Sequence, residues 1–133
     1  MHTRILMPAS AAVMMVLGLL LTFAPQEVLE RMGSPSSSMV ILLVQAAGAL
    51  YFGFAMLNWM ARLSLIGGIY GRPIAMGNFL HFGILASALG KAVFAVGAPR
   101  STLIVSTLYL VFAVWFGWVL FGDPLARKAA QAS

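Results

Sequence analysis

The chain has 133 residues, of which 62% are apolar and only 8% charged, with a net charge of +5. Soluble domains carry roughly 45–50% apolar and roughly 25% charged residues, and a chain this short would need polar side chains over much of its surface, so a water-soluble globular domain is excluded. The basic balance does not point to nucleic acid, because the cations stand in ones and twos between apolar runs rather than on one clustered face. Cysteine is absent, which excludes disulfides and thiolate redox or metal chemistry.

Four uncharged or nearly uncharged stretches predict four membrane-spanning helices in an all-α, up-down four-helix bundle forming a single domain. About 20 residues at 1.5 Å rise cross a hydrocarbon core of roughly 30 Å. Helices are the open-chain solution there because each backbone polar group must be satisfied within its own segment. The first span covers about 5–24 and stops at Pro25. Arg4 followed by an apolar run resembles a secretory leader, but the run exceeds the usual ~7–15 residues and Thr22-Phe23-Ala24 is a poor cleavage site, so the span is expected to be retained.

After it, 25–32 reads as a short interfacial helix, with Pro25 in its first turn and Gly33 as terminator. Val28, Leu29 and Met32 are expected to face lipid, and Glu27, Glu30 and Arg31 water. The second span covers about 39–61 and ends at Arg62. A glycine-rich loop follows, containing Gly67, Gly68, Tyr70, Gly71 and Arg72. The third span covers 74–96 after Pro73, with Lys91 near its far end. A Gly97-Ala98-Pro99-Arg100 turn leads to the fourth, 101–122, closed by Asp123-Pro124.

Positive charges orient multi-pass proteins. Arg4, Arg62, Arg72, Arg127 and Lys128 fall on one side, Arg31, Arg100 and the tip of Lys91 on the other. The first set outnumbers the second, so both termini are expected to be cytoplasmic in a cell-membrane protein. Trp59, Trp115 and Trp118 lie toward the same side, where indoles favour the interface.

Polar residues at membrane depth are the natural place to look for chemistry, because burying them is costly. Here these are Gln45, Asn58, Asn78, His81 and Lys91. At 100° per residue, Tyr51, Ala55, Asn58 and Arg62 share one stripe, and Asn78, His81 and Leu85 another. His81 stands ~12 Å along the helix from Pro73. Tyr51, Asn58, Arg62, Tyr70, Arg72, Asn78 and His81 therefore compose a candidate ligand-binding pocket on the cytoplasmic side. Arginines and loop amides at a helix start attract anions, and His81 could bond or titrate, which suits an anionic or quinone-like headgroup.

The competing reading makes the same residues structural: Asn58, Asn78 and His81 bond between helices, each pair worth about 0.6 kcal/mol, and Arg62 and Arg72 set topology. Lys91, ~27 Å along its span from Pro73, reaches the far interface by snorkelling. The small residues Gly48, Gly53, Gly83, Ser87 and Gly90 are candidates for close helix packing, within the chain or with another protomer. The nine methionines are too scattered for a metal box.

No Asp or Glu lies within a span, which argues against a proton-coupled exporter. Two histidines cannot build a multi-histidine centre, so no metal site is expected. No Ser/His/Asp arrangement points to a hydrolase, and no catalytic residue is assigned.

The stretch Gly18-Leu-Leu-Leu-Thr-Phe-Ala-Pro25 and the later Gln45-Ala-Ala-Gly-Ala-Leu-Tyr-Phe-Gly-Phe-Ala-Met-Leu-Asn58 resemble small DoxX-like four-helix membrane proteins. In that family a first span ends in a proline-led interfacial segment, and a glycine-rich second span follows. The resemblance covers roughly residues 10–96 and implies a four-helix fold. DoxX itself is associated with a quinone-reducing thiosulfate oxidoreductase, whereas many relatives have no assigned activity, and no catalytic motif of that family carries over to this sequence.

The expected function is a non-enzymatic membrane subunit or a lipid- or quinone-binding module, with membrane lipids, further copies of the chain or a complex component as partners and no nucleic acid. The alternative is a membrane enzyme or redox accessory using the cytoplasmic-side pocket, and after it a small transporter or channel.

Overall fold

Apolar runs bounded by proline, glycine and charge become helices whose ends fall at those boundaries. In the computed structural model, which describes residues 3–63, 71–96 and 99–122, the chain is all-α. Its elements are α1 (Thr3–Phe23), α2 (Pro25–Arg31), α3 (Ser38–Met60), a 3-10 turn (Ala61–Leu63), α4 (Gly71–Val96) and α5 (Arg100–Gly122). No strand occurs among the described residues. Among the described residues, four helices are long and apolar enough to cross a membrane: Ile5–Phe23, Ser38–Leu63, Gly71–Ala95 and Ser101–Gly122. The four-span, all-α class expected from the sequence is the one observed. The chain is a membrane protein.

Local chemistry accounts for the boundaries. The Ser37 hydroxyl accepts a hydrogen bond from the Val40 N–H at 3.4 Å, occupying one of the amides that the start of α3 leaves without a helical partner. Pro25 opens α2 at its first turn, where a missing N–H costs nothing. Gly33 closes it at φ 67°. There the Gly33 N–H donates to the Glu30 carbonyl and the Ser34 N–H to the Leu29 carbonyl, both at 3.0 Å, the paired arrangement of a left-handed glycine stop. The third span begins earlier than expected, at Gly71 rather than after Pro73, because a proline in the first helical turn removes no intrahelical bond.

The chain divides into two units, Met7–Met60 and Ala61–Ser133 with Met1–Leu6. In the first, α3 buries Gly48, Tyr51, Ala55 and Asn58, a stripe of alternating three- and four-residue steps. On the part of α1 in this unit, Met7, Ser10, Ala11, Met14 and Gly18 are the buried positions. α2 packs against α3 and buries Pro25 and Leu29. This corrects the expectation that Leu29 faces lipid: a two-turn helix folded onto α3 turns that side chain into the protein, while Glu27, Glu30 and Arg31 are exposed.

In the second unit, α4 buries Ala75, Asn78, Phe82 and Ala86, and α5 buries Thr102, Ser106, Tyr109, Phe112 and Phe116. Large apolar side chains lie outward on every span, among them Leu50, Ile84, Phe94, Ile104 and Trp118. An apolar surface on this scale is an aggregation liability in water and is indifferent in lipid, whose tails are as apolar as leucine.

Candidate functional site

Gln45, Asn58 and Asn78, three of the polar residues at membrane depth, are joined to the fold by hydrogen bonds that explain their placement. In the α1–α3 unit, Asn58 is fully buried and its Nδ2 donates to Ser10 Oγ at 3.0 Å and toward Met14 Sδ at 3.7 Å. The Ser10 hydroxyl in turn donates to the Met7 carbonyl at 2.9 Å. The result is a buried relay from an α3 amide through an α1 hydroxyl to an α1 carbonyl. Tyr51 is buried two turns before Asn58 on the same stripe of α3.

Gln45, exposed, donates from Nε2 to the Thr22 carbonyl at 3.3 Å. Thr22 lies in the last turn of α1, where carbonyls lack an intrahelical donor, so Gln45 caps the end of the preceding helix. Three residues further along α3, a Cβ at Gly48 would collide with Thr22 Oγ1 and stand 2.9 Å from the Thr22 nitrogen and 3.1 Å from the Leu21 carbonyl carbon. Only glycine lets the two backbones come this close. Gly18 repeats the pattern from the other side, its would-be Cβ 3.2 Å from the Gly48 carbonyl oxygen. Gly53, by contrast, is exposed with nothing within 4 Å of that position.

In the α4–α5 unit the centre is aromatic. Phe82 is fully buried, stacked on Phe112 at 4.9 Å and 18° and on Phe116 at 5.8 Å and 17°. Tyr109 meets it edge-on at 5.2 Å. The His81 ring stands edge-on to Phe82 at 5.4 Å and 6.0 Å from Tyr109, which places the imidazole at the margin of this cluster. Asn78, fully buried, donates to the Ile74 carbonyl at 2.8 Å. The buried Ser106 hydroxyl crosses from α5 to the Ala86 carbonyl at 3.1 Å. Phe79 lies over Gly117, where a Cβ would be 3.0 Å from its ring.

The small residues of α4 divide between two roles. Gly90 lies beneath α5, its would-be Cβ 3.6 Å from Ser106 Oγ, and Gly83 approaches Ala113 at 4.0 Å. Ser87 is exposed and folds its hydroxyl back onto the Gly83 carbonyl at 2.9 Å. With that hydroxyl occupied, the outer side of α4 presents an open apolar groove of about 510 Å³. The row Phe79-Gly83-Ser87-Lys91 advances four residues at a time along the helix, and Leu80 and Ile84 wall it on one side. Two small residues between two large ones make the depression, and its far end is marked by the exposed Lys91.

Of the seven residues of the expected cytoplasmic-side pocket, Tyr51 and Asn58 belong to the α3 stripe, Arg62 is half-buried in the 3-10 turn, and Arg72, Asn78 and His81 lie on α4, with Arg72 exposed. Tyr70 lies outside the described residues, as do Gly67 and Gly68 of the same loop, Gly97 and Ala98 of the last turn, and the charges Arg127 and Lys128. Sequence reasoning passed over Ser10, Met14 and Ser106. The stripe arithmetic applied to Asn58 would have found them, since Ser10 and Met14 are one turn apart on α1, and Thr102, Ser106 and Tyr109 follow one another along α5. No group of three or more metal-ligating side chains occurs among the described residues. No family model, curated protein or solved structure matches the chain.

Proposed function

We propose that this chain is a non-enzymatic membrane module that holds a lipid or quinone molecule, working as a small subunit in the cell membrane with both termini cytoplasmic. The observation that carries the reading is the open apolar groove on α4, which runs along the span from Phe79 to Lys91. It has the shape for a chain-like hydrophobic ligand, and a polar or charged end to meet a headgroup. Support also comes from the buried asparagines: Asn58 is engaged with Ser10 and Asn78 with the Ile74 carbonyl, so their amides work as links in and between helices. A membrane module of this kind is also what the DoxX-like resemblance of Gly18–Pro25 and Gln45–Asn58 suggests.

Native mass spectrometry of the protein, extracted gently from its own membrane, tests the proposal. A reproducible adduct of one lipid or quinone per chain is the expected result. A bare chain, across detergents mild enough to preserve other membrane protein–lipid adducts, would refute it.

A further inference from the structure

We infer that the α4 groove selects a phospholipid with an anionic headgroup, seating an acyl chain over Gly83 and Ser87 and the phosphate at the Lys91 ammonium. The inference rests on the lipid- or quinone-binding reading and narrows it to one ligand class. In a bilayer an apolar groove by itself gains little, because an acyl chain leaving bulk lipid exchanges one apolar contact for another. Selection must therefore come from the end of the groove where charge is present.

Along the groove the lining is apolar but for Ser87, whose hydroxyl is bonded to the Gly83 carbonyl, and Lys91, which stands at its end and is exposed. Twelve residues separate Phe79 from Lys91, ~18 Å of helix, so an acyl chain can lie along the floor while its phosphate stays at interfacial depth. A lysine on a flexible stem reaches that depth by snorkelling, and its compact ammonium suits a phosphate. A neutral quinone would leave this cation without a counter-charge, and a zwitterionic headgroup would offset it with its own. The sign of the charge therefore favours an anionic phospholipid, in a chain whose net charge is +5.

The full chain, purified and delipidated, would be incubated with equal amounts of phosphatidylglycerol and phosphatidylcholine of identical acyl chains, and bound lipid counted by native mass spectrometry. The wild type is expected to favour phosphatidylglycerol about fivefold, the effect of one lysine near an anionic surface. Lys91→Gln should bring the ratio near one, and Lys91→Arg should keep it. Ser87→Leu fills the floor with the charge intact and should reduce the retention of both lipids. Ala88→Leu, on the exposed rim, makes the same test should Ser87→Leu fold poorly.

An unchanged ratio in Lys91→Gln would overturn the inference, as would unchanged lipid retention in both groove-filling variants. Loss of a dimer in those variants with lipid binding intact would instead assign the face to a second copy. Retention of neutral lipid or quinone without anionic preference would overturn the selectivity alone and leave the broader function standing.

Discussion

At the scale of single residues, the spans contain two kinds of polar side chain, and the fold treats them differently. Asn58 reaches across to another helix, whereas Asn78 and Ser87 bond to their own helix one turn back. The first kind holds two helices in register, and the second occupies a carbonyl of its own helix. Asn58→Leu should lower stability by about 1 kcal/mol, and a double-mutant cycle with Ser10→Ala should return a coupling near 0.6 kcal/mol, the average for such pairs in membranes. Reversible unfolding in mixed micelles measures both, and a coupling of zero would mean the 3.0 Å contact carries no energy.

The glycines offer a sharper contrast. Gly48→Ala pushes a methyl group into Thr22, where the obstacle includes backbone, and should cost about 1–3 kcal/mol. Gly53→Ala meets nothing and should be neutral or slightly stabilising, as alanine is the better helix former. Equal thermal shifts for the two variants would refute this account of the α1–α3 approach.

At the scale of elements, each unit has its own adhesive. The α1–α3 pair uses small residues, the Asn58 relay and the Gln45–Thr22 hydrogen bond, and the α4–α5 pair uses stacked rings around Phe82 beside the Ser106–Ala86 hydrogen bond. Rings that interlock fill volume, so truncation leaves a cavity that rigid helices cannot close. Phe82→Ala should therefore cost about 3–5 kcal/mol, while Phe82→Leu should recover most of that loss. Thermal unfolding followed by helix content would check the order wild type, Leu, Ala. α2 depends on a different device, the left-handed Gly33. Space around that position is open, so Gly33→Ala tests backbone strain alone, with an expected cost of about 1–2 kcal/mol. That cost should appear as faster amide exchange at positions 33 and 34, whose N–H groups close the turn.

At the scale of the whole molecule, the membrane dominates. The absence of cysteine makes orientation directly measurable, since any introduced thiol is the only one present. Ser36→Cys, in the α2–α3 connection, should react with an impermeant maleimide added outside intact cells, and Ser133→Cys should react only after lysis. The reverse pattern would place both termini outside and overturn the reading of Arg4, Arg62 and Arg72 as cytoplasmic anchors.

The sequence by itself determined that there are four spans, where they begin and end within a few residues, and that a proline-led helix follows the first. These features depend on local composition: uncharged length sets a span, and proline and glycine set its ends. Which face of each span turns inward was decided only by tertiary structure. In water the inward face announces itself by being apolar, but here the outward face is just as apolar, and the buried stripes consist of Ser10, Gly48, Ala55, Asn58, Asn78 and Ala86 beside a few rings. Inside a bilayer the packing surface is chosen by shape and by hydrogen-bond pairing. Those depend on which partner arrives opposite, as Ser10 does for Asn58 and Thr22 for Gly48, and no single helix encodes its neighbour. The same reason hid the α4 groove: Gly83 and Ser87 were read as a packing face, and only the position of α5 left Ser87 open to lipid.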